Sequence, residues 1–213
     1  MANASASVAS QFDDAAQQRD ASTLGMWVFL TTETLFFGAL FFGYAIARAT
    51  FPDAFAGASR HTNIVLGTAN TAVLLTSSFF MALAVWAASQ RARKPTTLFL
   101  VITALLGLLF AAIKLTEYAL DYREHLVPAL DFAFAPAHFN GAELFFWFYF
   151  TATGLHLVHL SIGIAIVLIF AWRSYRAHVE NLDTKIEIAG LYWHFVDVVW
   201  IFLYPLLYLV SRA

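Results

Sequence analysis

The sequence predicts an all-α integral membrane protein, a bundle of five transmembrane helices with its N-terminus in the cytoplasm and its C-terminus on the opposite side. Three observations carry that prediction. Hydrophobic residues make up 61% of the 213 positions and charged residues only 12%, about half the share of charge in soluble domains. That is more apolar surface than a water-soluble globule of this size can bury. The apolar residues gather into five runs, each long enough to cross hydrocarbon, which takes about 20 residues at about 1.5 Å of rise. Charges collect in the breaks between runs, together with Pro52, Pro95, Pro128 and Pro136.

Residues 1–23 are polar, rich in Ala and Ser, and interrupted by Asp13, Asp14, Arg19 and Asp20. They lack the basic start and short apolar core of a secretory signal and read as a soluble, flexible tail. Residues 24–213 read as one transmembrane domain without internal repeats. Its spans are expected at Leu24–Ala47, Ile64–Ala88, Thr96–Tyr118, Leu144–Trp172 and Ile188–Val210. Pro205 falls inside the last span and is expected to kink it. Orientation follows from Lys and Arg. The tail and the second and fourth breaks hold Arg19, Arg91, Arg93, Lys94, Arg173, Arg176 and Lys185, which outnumber Arg48, Arg60, Arg123 and Arg212 on the other side.

The composition also excludes chemistry. The chain has no cysteine, hence no disulfides, thiolate metal sites or iron–sulfur clusters. A formal net charge of −2, without a long basic run, leaves no footprint for nucleic acid.

Ionisable groups cost about 2.5–3.5 kcal/mol at the centre of a span on insertion scales, so they normally face protein or a cavity. The candidates are Glu33, Lys114, Glu117, Glu143, His156, His159, His194 and Asp197. Glu33 reads equally well as a proton-exchanging group and as an interhelical hydrogen-bonding carboxyl. His156 and His159 are three apart and share a helix face, as do His194 and Asp197. These pairs could bind metal, ligate haem between facing helices, or form a polar network that fixes packing, with Asp197 accepting from His194. Lys114 and Glu117 have the same spacing and read as a mutually neutralising structural pair. Arg173, beside Trp172 at a span end, could snorkel to water or hold a lipid phosphate. The aromatic run Leu144 to Phe150 is apolar all round, and Gly38, Ala39 and Gly43 offer close backbone approach on the first span.

Two longer motifs go further. The last span carries Tyr192-Trp193-His194-Phe195-Val196-Asp197-Val198-Val199-Trp200, preceded by Glu187. The first carries Gly25-Met26, Phe29, Glu33 and Phe36-Phe37. Asn70 to Ser78 and Thr153-Gly154-Leu155-His156-Leu157-Val158-His159, followed by Gly163, agree with them. Together, over roughly residues 24 to 211, they resemble subunit III of the haem–copper respiratory oxidases, in its short five-helix bacterial form. Thr153-Gly154 before the histidine and the run Ile113 to Tyr118 look like the short branch, which includes quinol-oxidase subunits and subunits encoded with nitric oxide reductases.

The resemblance implies a non-catalytic accessory subunit of a proton-translocating terminal oxidase that reduces oxygen to water, in a bacterial inner membrane, with the C-terminus periplasmic. It places Glu33 where the family has a buried, carbodiimide-reactive carboxylate that supports proton uptake. It places His159 and Arg173 where mitochondrial-type members contact a phospholipid headgroup, and gives Glu187 a structural or lipid-related role. Subunit I would be the direct partner, with subunit II and further small subunits beyond. Haem and copper would reside in those partners, leaving this chain with structural phospholipid and no metal. An accessory subunit of a nitric oxide reductase is the alternative, and an independent haem or metal membrane enzyme is a third reading from a different class.

Overall fold

The computed structural model describes residues 11–130, 132–134, 139–176 and 182–210. Residues 1–10 of the expected tail lie outside them, as do Pro136, His138, His178 and Arg212. The described residues form helices and no strand: α1 (Ala15–Thr50), α2 (Pro52–Ser59), α3 (Ile64–Ser89), α4 (Arg93–Arg123), α5 (Phe139–Arg176) and α6 (Leu182–Tyr204). All but α2 are long and apolar enough to cross a membrane.

The fifth expected run, Ile188–Val210, begins inside α6 and runs past its end at Tyr204. The first four sit inside these helices, which outrun them at most ends. The start of α1 shows why. The Asp14 carboxylate accepts the Gln17 backbone N–H at 2.7 Å, and the Gln17 side chain accepts the Asp13 N–H at 2.7 Å. This reciprocal cap starts the helix at Ala15, so residues 15–23 are helical where the sequence reading placed flexible tail. Arg19 then reaches Asp183 at the start of α6, at 3.6 Å. The pair is exposed and worth little. Helix α2 lies in the expected break between the first two spans. Proline at the first helical position starts a helix rather than stopping one, and Phe55 and Ala58 are fully buried.

Helix α3 packs on α4 and α6, and α5 packs on α4, α6, α2 and α1. Helix α1 is peripheral: 11% of its apolar window is buried, against 56% for the last span. Lipid tails are as apolar as leucine, so tight packing and buried polar bonds hold such a bundle together. The aromatic run divides accordingly. Phe145, Phe146 and Tyr149 are buried, while Trp147 faces outward. Within the chain the tightest approaches lie away from the first span. A Cβ at Gly38 would meet nothing within 4 Å, whereas one at Gly107 would lie 2.9 Å from the Trp193 ring and one at Gly141 would lie 2.5 Å from the Ala54 Cβ.

At Pro205 the last span changes from α to a π-turn over Pro205–Leu209. Proline lacks the N–H that would continue the ladder. One residue further on, the Leu206 carbonyl accepts the Tyr44 hydroxyl of α1.

Candidate functional site

Helices α1, α5 and α6 enclose an open groove of roughly 690 Å³, lined by Met26, Phe29, Phe170, Tyr192 and other apolar side chains, with Lys185 among the lining residues. In its wall Glu33 of α1 faces His159 of α5. Glu33 Oε2 lies 3.1 Å from His159 Nε2, with side chains 20% and 15% exposed. His159 Nδ1 lies 2.9 Å from the Leu155 carbonyl, one turn earlier on the same helix. A carbonyl only accepts, so Nδ1 carries a proton. The Nε2···Oε2 contact then holds one proton, on imidazole as an imidazolium–carboxylate pair or on the carboxyl as a neutral pair. The arrangement therefore fixes the Nδ1 proton and leaves Nε2 facing Glu33.

The surroundings hold the pair in place. Phe37, almost fully buried, meets the His159 ring edge-on at 5.3 Å, and Tyr192 donates its hydroxyl to the His159 carbonyl at 3.0 Å. The threonines flanking Glu33 give it no hydroxyl partner. Thr31, Thr32 and Thr34 each donate to a carbonyl of their own helix.

The other expected site residues separate into different places. Arg173 and Glu187 are exposed on α5 and α6, and neither lines this groove. His156 shares its helix with His159 but is buried between Phe110 and Trp200, at 5.4 and 5.1 Å, with neither ring nitrogen hydrogen-bonded. His194 departs from its expected partner. Its Nδ1 bonds Ser78 Oγ at 2.7 Å, while Asp197 Oδ2 stands 3.9 Å away, beyond hydrogen-bond reach. Packing of α6 on α3 sets Ser78 directly opposite His194, closer than the carboxylate on the next turn. His156, His159 and His194 thus have three separate sets of neighbours. Among the described residues, no group of three or more His, Cys, Asp or Glu converges as a metal site.

Lys114 and Glu117 do pair, within a larger buried network. The Lys114 ammonium donates to Glu117 Oε2 at 2.9 Å, Tyr149 Oη at 2.9 Å and Tyr208 Oη at 2.7 Å. All three of its donors are used. Tyr208 donates on to Glu117 at 2.9 Å and Tyr149 to Asp121 at 3.0 Å. Asp121 escaped the sequence reading because the span was ended at Tyr118. The spacing of residues 114, 117 and 121 puts all three on one helix face, which was the signal available.

A family model described as cytochrome c oxidase subunit III matches residues 6–212. The chain belongs to the cytochrome c oxidase subunit III family. It is 32% identical to a cytochrome c oxidase subunit 3 of Alkalihalophilus pseudofirmus over 88% of this chain and 86% of that one. It is 31% identical to a cytochrome c oxidase subunit 3 of Thermostichus vulcanus over 94% and 92%, respectively. A probable quinol oxidase subunit 3 of Staphylococcus aureus is 27% identical over 94% of each chain. Family membership and five apolar spans make this subunit III relative a multi-pass bacterial membrane protein and part of a multi-subunit oxidoreductase complex.

Proposed function

We propose that this chain is the non-catalytic subunit III of a proton-translocating haem–copper terminal oxidase that reduces oxygen to water. It stabilises subunit I, its direct partner, supports proton uptake by that subunit, and binds phospholipid. Subunit II and further small subunits complete the assembly, and haem and copper reside in the partners. The observation that carries this reading is the Glu33–His159 pair, a proton-holding contact 3.1 Å long at the wall of an open groove. A catalytic metal or haem site on the chain itself would need converging ligands, and the three histidines of the spans have separate neighbours. With the N-terminus cytoplasmic, the groove, lined by Met26 and Phe29 toward the start of α1 and by Ile166 and Phe170 toward the end of α5, lies toward the side from which protons are drawn. Lys185 and the apolar walls suit a phospholipid there, with Arg173 and Glu187 available to further headgroups on the outer surface.

Mild-detergent purification of the tagged chain, with mass spectrometry of every stoichiometric partner, tests this assignment. The expected result is a large multi-span subunit I bearing haem. A copper-binding subunit II beside it specifies a cytochrome c oxidase, and a subunit II without copper a quinol oxidase. Recovery of a nitric oxide reductase pair instead would replace the oxidase reading with its alternative. Recovery of the chain alone, carrying haem or metal, would overturn both.

A further inference from the structure

A second groove, of roughly 830 Å³, lies between the start of α4 and the end of α5, with Arg91, Arg93, Lys94, Leu98, Val101 and Tyr175 among its lining residues. It shares no residue with the Glu33 groove. Among the described residues, none of its three cations forms an ion pair with a carboxylate. Arg93 reaches across the groove, with Nη2 at 3.4 and 3.3 Å from the Ser174 and Tyr175 carbonyls, which fixes one cation between the helices. Beneath the cations, Leu98 and Val101 are exposed on the first turns of α4 inside the span, at 56% and 38%.

Arg91 holds its place against a backbone preference. It caps α3 with φ of 55°. Its N–H bonds the Ala88 carbonyl at 2.9 Å, and the Ala92 N–H bonds the Ala87 carbonyl at 3.0 Å. This is the helix-ending motif whose left-handed residue is ordinarily glycine. A side chain there is strained relative to a right-handed conformation.

We infer that this groove binds an anionic phospholipid, its phosphate held by Arg91, Arg93 and Lys94 and an acyl chain lying along Leu98 and Val101. Unpaired cations sit where span meets headgroup, and basic pockets between transmembrane helices suit anionic head groups. The field of the α4 N-terminus adds to theirs. The exposed apolar wall running into the hydrocarbon region favours a lipid over free phosphate.

The test uses the purified full chain, delipidated in mild detergent and titrated with phosphatidylglycerol or phosphatidylcholine, with retention read by native mass spectrometry. The wild type is expected to retain phosphatidylglycerol at least fivefold better. Arg91→Gly combined with Lys94→Gln is expected to abolish that preference. Arg91→Gly alone is expected to weaken it while raising the melting temperature, because glycine relieves the left-handed backbone. Such a rise separates lost binding from lost folding. Millimolar inorganic phosphate is expected not to displace the lipid. Equal retention of both lipids by the wild type, an undiminished preference in the double variant, or displacement by phosphate would each overturn the inference.

Discussion

Replacing Lys114 by methionine is expected to destabilise the chain by roughly 3–5 kcal/mol, the cost of removing one partner from a buried ion pair. The side chain is fully buried, as is Glu117 to within 1%, so neither water nor lipid headgroups can take over the lost role. The variant would leave Glu117 and Asp121 on one helix face with no cation between them. Tyr149 and Tyr208 would each lose an incoming bond. Heating in detergent, followed by circular dichroism, reads the loss. Adding Glu117→Gln to Lys114→Met is expected to restore much of the stability, because it removes the uncompensated carboxylate. Asp121→Asn alone is expected to cost less than Lys114→Met, since an asparagine carbonyl still accepts from Tyr149. A Lys114→Met variant as stable as the wild type would show that the network contributes nothing to the fold. Tyr208 belongs to the π-turn after Pro205, so the same cluster also anchors the C-terminal end of the bundle to α4 and α5.

Glu33→Gln is expected to leave folding intact and slow proton uptake in the assembled enzyme. Glutamine keeps the shape and a hydrogen bond to His159, but it cannot pass a proton to Nε2. In the proposed role the group acts on delivery rather than on the reacting atoms, so the effect should stay well below the ~10²-fold of a lost general acid or base. Turnover at neutral pH is expected to fall by no more than about threefold. A larger deficit is expected at alkaline pH, where bulk protons are scarce, together with a shorter turnover lifetime. His159→Gln should give the same phenotype. The double variant should be no worse than either single change, since both remove one shared proton. Uptake rate and lifetime unchanged at both pH values would remove Glu33 from the proposed role.

The five spans were legible because the length and polarity of an apolar run are set by the bilayer, and those properties are local. The helix ends were not, because a helix continues into polar flanks wherever a cap forms, as at Asp14 and Gln17. Asp121 was lost to that uncertainty. Pro52 marked the break between two spans, but not that a short helix fills it, because proline opens a helix as readily as it breaks one. Glu33 and His159 were each visible as polar groups in apolar spans, yet their partnership spans 126 positions. Which helices meet depends on packing that periodicity does not encode. The same limit hid Ser78 as the partner of His194, where the i, i+3 spacing pointed to Asp197.

The most direct test of an accessory, proton-supporting role is to remove the chain from the purified oxidase and then add it back, following oxygen consumption, haem absorbance and proton uptake. Oxygen reduction and the haem spectrum are expected to persist without the chain. Proton uptake should slow and turnover lifetime shorten, and wild-type chain should restore both where Glu33→Gln chain does not. Loss of haem absorbance together with all oxygen reduction would contradict a non-catalytic role, and unchanged uptake and lifetime after removal would contradict a proton-supporting one.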